Sequence, residues 1–104
     1  MFARNVSIHL KSNMLSDYTR TFENDTLPLL RQQKGFKDEI TLSNPGSLDV
    51  IAVSLWESKA NAEAYNTNTY PQVMRTFERM IDGAPKVQTF EAVTSTFHKV
   101  AVAA

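Results

Sequence analysis

Four side chains in the second half of the chain have the chemistry to direct a ligand in an apolar pocket: Tyr65, Asn66, Tyr70 and Arg75. The first three cluster around Asn66-Thr67-Asn68-Thr69, a run of poor helix formers that breaks the second helical region. A helix broken over a cavity can aim a few polar groups at an otherwise apolar ligand. Phenol and amide groups there could hold a phenolic molecule and steer its deprotonation. The Arg75 guanidinium could stabilise the resulting anion by charge. The competing reading is a plain exposed turn, with Arg75 solvated or paired to Glu78. Trp56 ends an apolar stretch and either walls the same pocket or packs in the core or an interface; if buried, its indole N–H needs a partner. Phe22 and Phe77 are the apolar substrate-binding candidates.

The two histidines are His9 and His98. An unperturbed imidazole titrates near neutrality, so His9 could act as a base, or hydrogen-bond to a partner at an interface. A metal would need His9, His98 and a carboxylate such as Glu91 to converge, and no ligand spacing signals that. The three glycines, Gly35, Gly46 and Gly83, each sit at a turn rather than in a phosphate-cradling loop. There is no Gly-flanked serine nucleophile and no flavin or nicotinamide fingerprint, so neither a cofactor nor a metal is expected.

Composition bounds the rest. A chain of 104 residues is one domain by length, expected to span residues 1–104, and its core is modest. Apolar residues make up 42% and charged residues 21%, ordinary globular usage that argues against disorder. Eleven basic residues balance eleven acidic ones, which disfavours nucleic acid and anionic lipid as partners. The absence of cysteine excludes disulfides, thiolate metal sites and a Cys nucleophile, and favours a reducing compartment. The start, Met1-Phe2-Ala3-Arg4-Asn5, lacks a signal-peptide core, and no apolar run approaches the roughly 20 residues that span a bilayer. The expectation is a cytoplasmic protein.

The elements that must position these residues follow from periodicity. Val6, Ile8 and Leu10 alternate with Asn5, Ser7 and His9, which predicts a first strand. Leu15, Tyr18, Phe22, Leu29 and Leu30 recur at helical spacing after a cap at Ser12 or Ser16, with a kink near Thr26-Leu27 imposed by Pro28. Phe36, Asp38, Ile40 and Leu42 share one face of a second strand, with Lys37, Glu39, Thr41 and Ser43 on the other; its exposed face suits a sheet edge. Asn44-Pro45-Gly46-Ser47 turns the chain into a third strand, Val50 to Trp56, apolar on both faces and therefore central. Ser58 can cap a helix over Lys59 to Tyr65, and Pro71 starts another with the stripe Val73, Phe77, Met80 and Ile81. Val87 to about His98 is a long fourth strand, and 99–104 a tail. The order β-α-β-β-α-β is the α+β, ferredoxin-like pattern with an antiparallel sheet. Right-handed crossovers put both helical regions on one sheet face. The bare face needs a cover, and a second copy of the sheet is the simplest one.

Three stretches resemble the antibiotic-biosynthesis-monooxygenase family of the dimeric α/β-barrel superfamily: Leu27-Pro28-Leu29-Leu30-Arg31-Gln32-Gln33-Lys34-Gly35-Phe36, Ser54-Leu55-Trp56-Glu57-Ser58-Lys59, and Ala62-Glu63-Ala64-Tyr65. With the element order, the likeness covers the whole chain. It implies a homodimer whose two sheets face each other as a barrel, with a pocket in each subunit between sheet and helices. Some members of the family oxidise aromatic molecules with dioxygen and no metal or flavin, and others have no established reaction. Quinone-forming members use Asn, Trp, Tyr and Arg around the substrate, and Asn66, Tyr65, Tyr70 and Arg75 supply similar groups. The haem-degrading members are matched poorly: their strand-one Asn position falls at Val6, their helix Trp near Tyr65 and their His ligand near Met74 or Arg75. Three functions therefore compete: a cofactor-independent oxygenase, a non-catalytic binder of a small hydrophobic or aromatic molecule, and a structural dimer.

Overall fold

The computed structural model describes residues 1–100, so the expected tail over 99–104 lies partly outside the described residues. Four antiparallel strands, β1 (Phe2–His9), β2 (Phe36–Ser43), β3 (Asp49–Trp56) and β4 (Lys86–Glu91), form one sheet in the order β2-β3-β1-β4. The order is ferredoxin-like, with β3 and β1 central and β2 at an edge, as the apolar patterning required. Strand β4 is shorter than expected. Its pairing with β1 runs from Lys86 to Glu91, where Phe2 uses up the partner strand, so β-rich composition beyond Glu91 has nothing to pair with.

Between β1 and β2 the chain winds as α1 (Leu15–Thr21), a π-helical turn (Phe22–Thr26) and α2 (Leu27–Arg31). The expected kink falls at that π turn. Pro28 has no N–H to give Asn24 and its ring crowds that carbonyl, so the preceding turn widens instead of breaking. The widened turn buries Phe22 and Thr26 together. Neither Ser12 nor Ser16 caps α1; Met14 occupies the cap position without a side-chain bond, because the turn at Asn13, with φ of 62°, brings it there. Asp17 still lies in the first turn, paired with Arg20.

Between β3 and β4 lie α3 (Lys59–Asn68) and α4 (Tyr70–Phe77), followed by a 3-10 turn (Glu78–Met80). Ser58 caps α3: its hydroxyl accepts from the Asn61 amide at 3.2 Å and donates to Asn61 Oδ1 at 2.7 Å. The helix runs through Asn66 to Asn68 and breaks at Thr69, later than composition suggested, because Pro71 restarts the helix in its first turn. The core between helices and sheet centres on Val6, Ile8, Tyr18, Trp56, Tyr65 and Phe77.

The second strand corrects the simple alternation. Phe36 pairs with Trp56 but Asp38 pairs with Leu55, so a bulge falls at Lys37. The extra residue reverses the parity. Phe36 packs edge-on against Trp56, 5.6 Å between centroids, under the helices, while Ile40 and Leu42 face away. Phe36 therefore does not share a face with Asp38, Ile40 and Leu42. Glu39 and Thr41 move to the helix-covered side opposite Ser54 and Ala52.

Gly35 ends the first helical region with φ of +81°, and Glu57 N donates to its carbonyl at 2.7 Å. A Cβ there would lie 2.3 Å from Asn61 Cγ. Gly35→Ala must therefore both adopt a left-handed backbone and displace the capped Asn61 side chain. The expected loss is about 1–3 kcal/mol of stability, read as a lower urea midpoint with unchanged slope.

Candidate functional site

In the described part of the molecule an apolar cavity of about 40 Å³, partly open to solvent, lies between the sheet and the helices. Strand β1 lines it with Arg4, Val6 and Ile8, and β3 with Ala52 and Ser54. The first helical region adds Tyr18, Phe22, Thr26 and Leu30. Tyr65, Tyr70, Met74 and Phe77 complete the far wall. Tyr70 and Met74 are only partly buried and follow the break at Thr69, so the wall is weakest there.

Of the residues expected to carry chemistry, the structure brings Tyr65, Tyr70, Phe22 and Phe77 together around this space. Trp56 stands one layer behind. It is 0% exposed, stacks on Tyr65 at 5.0 Å, and donates from Nε1 to Ser54 Oγ at 2.9 Å, which satisfies the indole. Asn66 is exposed and reaches the cavity only through Arg4, whose Nη2 donates to Asn66 Oδ1 at 2.7 Å. Arg75 is exposed on the outer face of α4, in a surface groove with Pro71 and Glu78, and does not join the others.

The positive charge at the cavity belongs to Arg4, a residue the sequence reading passed over. It is 3% exposed. Its guanidinium lies 3.9 Å from the Tyr70 ring centroid and 5.2 Å from that of Tyr65. No carboxylate pairs with it among the described residues, and Nε is buried without a hydrogen-bond partner. Burial pulls its pKa down, against the neighbouring tyrosines, but a guanidinium remains charged at neutral pH. The signal was legible: Arg4 has the inward parity of Val6 and Ile8 on a strand whose inward face is otherwise apolar.

Glu39 is the second residue missed, hidden by the bulge. It lines the cavity from β2, and its Oε2 accepts from Thr41 Oγ1 at 2.8 Å. Burial raises its carboxyl above the ordinary range, while Thr41 pulls the other way. A carboxyl raised in the folded state means that the native protein holds the proton more tightly than the unfolded chain. Glu39 thus favours folding below its unfolded pKa, and that contribution disappears as pH rises through its folded pKa. Glu39→Gln should therefore be more stable than the parent at neutral pH, with the advantage vanishing in acid, as urea titrations at several pH values would show.

The cavity tyrosines are all held protonated. Burial pushes the Tyr65 phenol up to about 12, with Arg4 opposing, and raises Tyr70 and Tyr18 as well. At neutral pH they donate protons in hydrogen bonds and accept none as bases.

The histidines lie apart from this site. His9 Nδ1 meets Asp49 Oδ1 at 2.8 Å on the bare sheet face, which holds the Asp49 carboxyl below its usual range. His98 pairs with Asp38 near the β2 edge. Among the described residues no three His, Asp or Glu side chains gather as metal ligands, and no helix is long and apolar enough to cross a membrane.

No family model matches the chain, and no curated protein matches it. Solved structures do. A protein of unknown function from Nitrosomonas europaea is 16% identical, with 94% of each chain covered and a TM-score of 0.76. A provisionally named antibiotic biosynthesis monooxygenase from Bordetella bronchiseptica is 14% identical over 89% of this chain and 97% of its own, with a TM-score of 0.76. Another so named, from Nitrosomonas europaea, is 12% identical over 90% and 100%, with a TM-score of 0.74. The fold that positions Arg4, Tyr65 and Tyr70 is thus the α+β, ferredoxin-like fold of proteins named antibiotic biosynthesis monooxygenases.

Proposed function

We propose that this chain is a cofactor-independent oxygenase of the antibiotic-biosynthesis-monooxygenase type, acting on a small aromatic or electron-rich metabolite. The observation that carries this reading is a buried guanidinium without a carboxylate partner among the described residues, facing phenols in an apolar cavity. Such a cation is costly unless an anion arrives to meet it. A deprotonated phenol or enol is that anion. It can pass one electron to dioxygen, and the radical pair can join as a carbon-bound peroxide. Loss of water then leaves one oxygen on the product as a quinone carbonyl. The protein's part is a dry, oriented, positively charged site. Tyr65 and Tyr70 touch the ligand, Asn66 positions Arg4, and Trp56 backs Tyr65.

Oxygen uptake with a panel of one-ring phenols tests the reading. Consumption above background supports it, and binding without consumption supports the alternative, a non-catalytic binder. That alternative draws on Arg75 lying outside the cavity, which removes one expected group from the site.

The functional unit in this reading is a cytoplasmic homodimer with each chain acting as a single domain. The sheet face away from the helices exposes Ile40, Leu42, Ile51 and Phe90, two of them more than half exposed, and buries Asn5 Oδ1 without a partner. A second sheet would cover this apolar surface. Ile51→Asp places a charge in the middle of that face and should convert the protein to monomer in sedimentation, with its helical content retained.

A further inference from the structure

Glu39, Ser54 and Arg4 occupy one row across β2, β3 and β1, on the helix-covered side. Two strand spacings separate the outer members, so their backbones stand roughly 10 Å apart. Both side chains line the same cavity, yet they do not pair. A carboxyl and a guanidinium held apart across one apolar space are placed to meet two different atoms of one ligand.

We propose that this cavity binds a small, weakly acidic hydroxyl compound as its anion: a one-ring phenol or enol whose proton moves to Glu39 and whose negative oxygen faces Arg4. The inference rests on the cavity being the ligand site, as above. In the transfer, the ligand O–H bond breaks, the proton joins a Glu39 carboxylate oxygen, and the electron pair stays on the ligand oxygen. No proton leaves the site. The negative charge moves from Glu39 to an atom closer to the guanidinium, where Coulomb attraction is stronger because it scales inversely with distance.

The groups facing Glu39 select it for this role. Tyr18 on α1, Tyr65 on α3 and Tyr70 on α4 are phenols held protonated by burial, and Arg4 on β1 is a cation. None of these can take a proton at neutral pH. Ser54 on β3 is occupied by the Trp56 indole. On β2 itself Thr41 holds Oε2 at 2.8 Å, which orients the carboxyl and leaves Oε1 for the ligand. The raised affinity of Glu39 for a proton suits an acceptor that must keep what it takes.

Size sets a further limit. A cavity binding a single benzene ring is on the order of 150 Å³, against about 40 Å³ here. One ring can enter if Tyr70 and Met74 give way at the helix break, whereas a fused polycycle would require the helices to part.

The test uses 4-nitrophenol, whose ionised form is yellow, with the full-length protein under nitrogen and at a pH below the probe's own pKa. The expected result is a yellow bound probe with no proton released, measured by calorimetry in buffers of different ionisation enthalpy. Glu39→Gln should bind the probe as a yellow anion and release about one proton per site. Arg4→Met should bind it colourless, and above the probe's pKa should bind the anion at least about 10-fold more weakly. A colourless probe bound to the parent protein overturns the inference. So does release of a full proton by the parent, which would place the proton in solvent. Failure to bind any nitrophenol would overturn the cavity reading as well. Anion binding without later oxygen uptake in air would uphold the inference and count against the oxygenase alone.

Discussion

Arg4→Met should leave the fold standing while lowering turnover of a phenolic substrate by about 10²–10³-fold, the usual effect of removing one donor that meets a developing oxyanion. The two halves of this expectation have separate physical origins. Arg4 is buried with no ion-pair partner among the described residues and with an orphaned Nε, so its removal takes away a desolvated charge as well as its contacts. What is lost is the cation–π contacts on Tyr70 and Tyr65 and the bond to Asn66, and Asn66 is exposed, so water can replace that partner. Replacing a buried charge with an apolar side chain of similar length is often neutral or stabilising, and Met adapts to irregular space. The urea midpoint should therefore shift by no more than about 1 kcal/mol equivalent. The ligand, in contrast, loses the one buried cation that lines the cavity among the described residues. Arg4→Lys should fall between the two, because a lysine retains charge but cannot reach Asn66 and a ligand oxygen with one planar fork. Oxygen uptake and chemical denaturation on the same preparations check both halves. Unchanged turnover in a stable Arg4→Met protein would place the reacting atoms elsewhere.

Trp56→Ala should cost about 3–5 kcal/mol, the range for emptying a fully packed aromatic site. Total stability of a domain this size is about 5–15 kcal/mol, so the variant stands near the limit of folding. Trp56 is completely buried, stacks on Tyr65, meets Phe36 edge-on at 72°, and bonds Ser54. Its loss would open a void beneath both the second-strand bulge and Tyr65. Trp56→Phe retains a ring but leaves part of the space empty and frees the Ser54 hydroxyl toward the cavity; its expected cost is about 1–2 kcal/mol. This milder variant separates support from contact. Trp56 does not itself line the cavity, so ligand binding in Trp56→Phe should weaken only through a less firmly held Tyr65, while denaturation shows the larger change. A variant as stable as the parent would show that the stack with Tyr65 and Phe36 contributes little.

Much of this molecule is legible along the chain because its signals are local. Alternation at Val6, Ile8 and Leu10 is a two-residue pattern, and the stripes at Tyr18 and Phe22 and at Val73 and Phe77 are one-turn patterns; each needs only neighbouring residues to be read. Pro28 marks a kink, Gly35 a helix end and Pro71 a helix start, because their backbone constraints travel with the residue. From these came the order of strands and helices, the central place of β3 and the edge position of β2. Tyr65 and Tyr70 were also reachable, since both border a run that resists helix.

Register was not legible. The bulge at Lys37 arises from how β2 pairs with β3, and it alone carries Glu39 under the helices and turns Ile40 and Leu42 outward. The length of β4 depends on where β1 ends, and not on β4's own composition. Arg75 and Arg4 are equally basic in sequence, but α4 turns one to the outer surface while β1 holds the other against two tyrosines from the far half of the chain. The succession of strands and helices can be read along the chain, because hydrophobic period and backbone constraint act over a few residues. Which charges share the cavity emerges on folding alone, because strand pairing and helix docking bring together residues that have no relation along the chain.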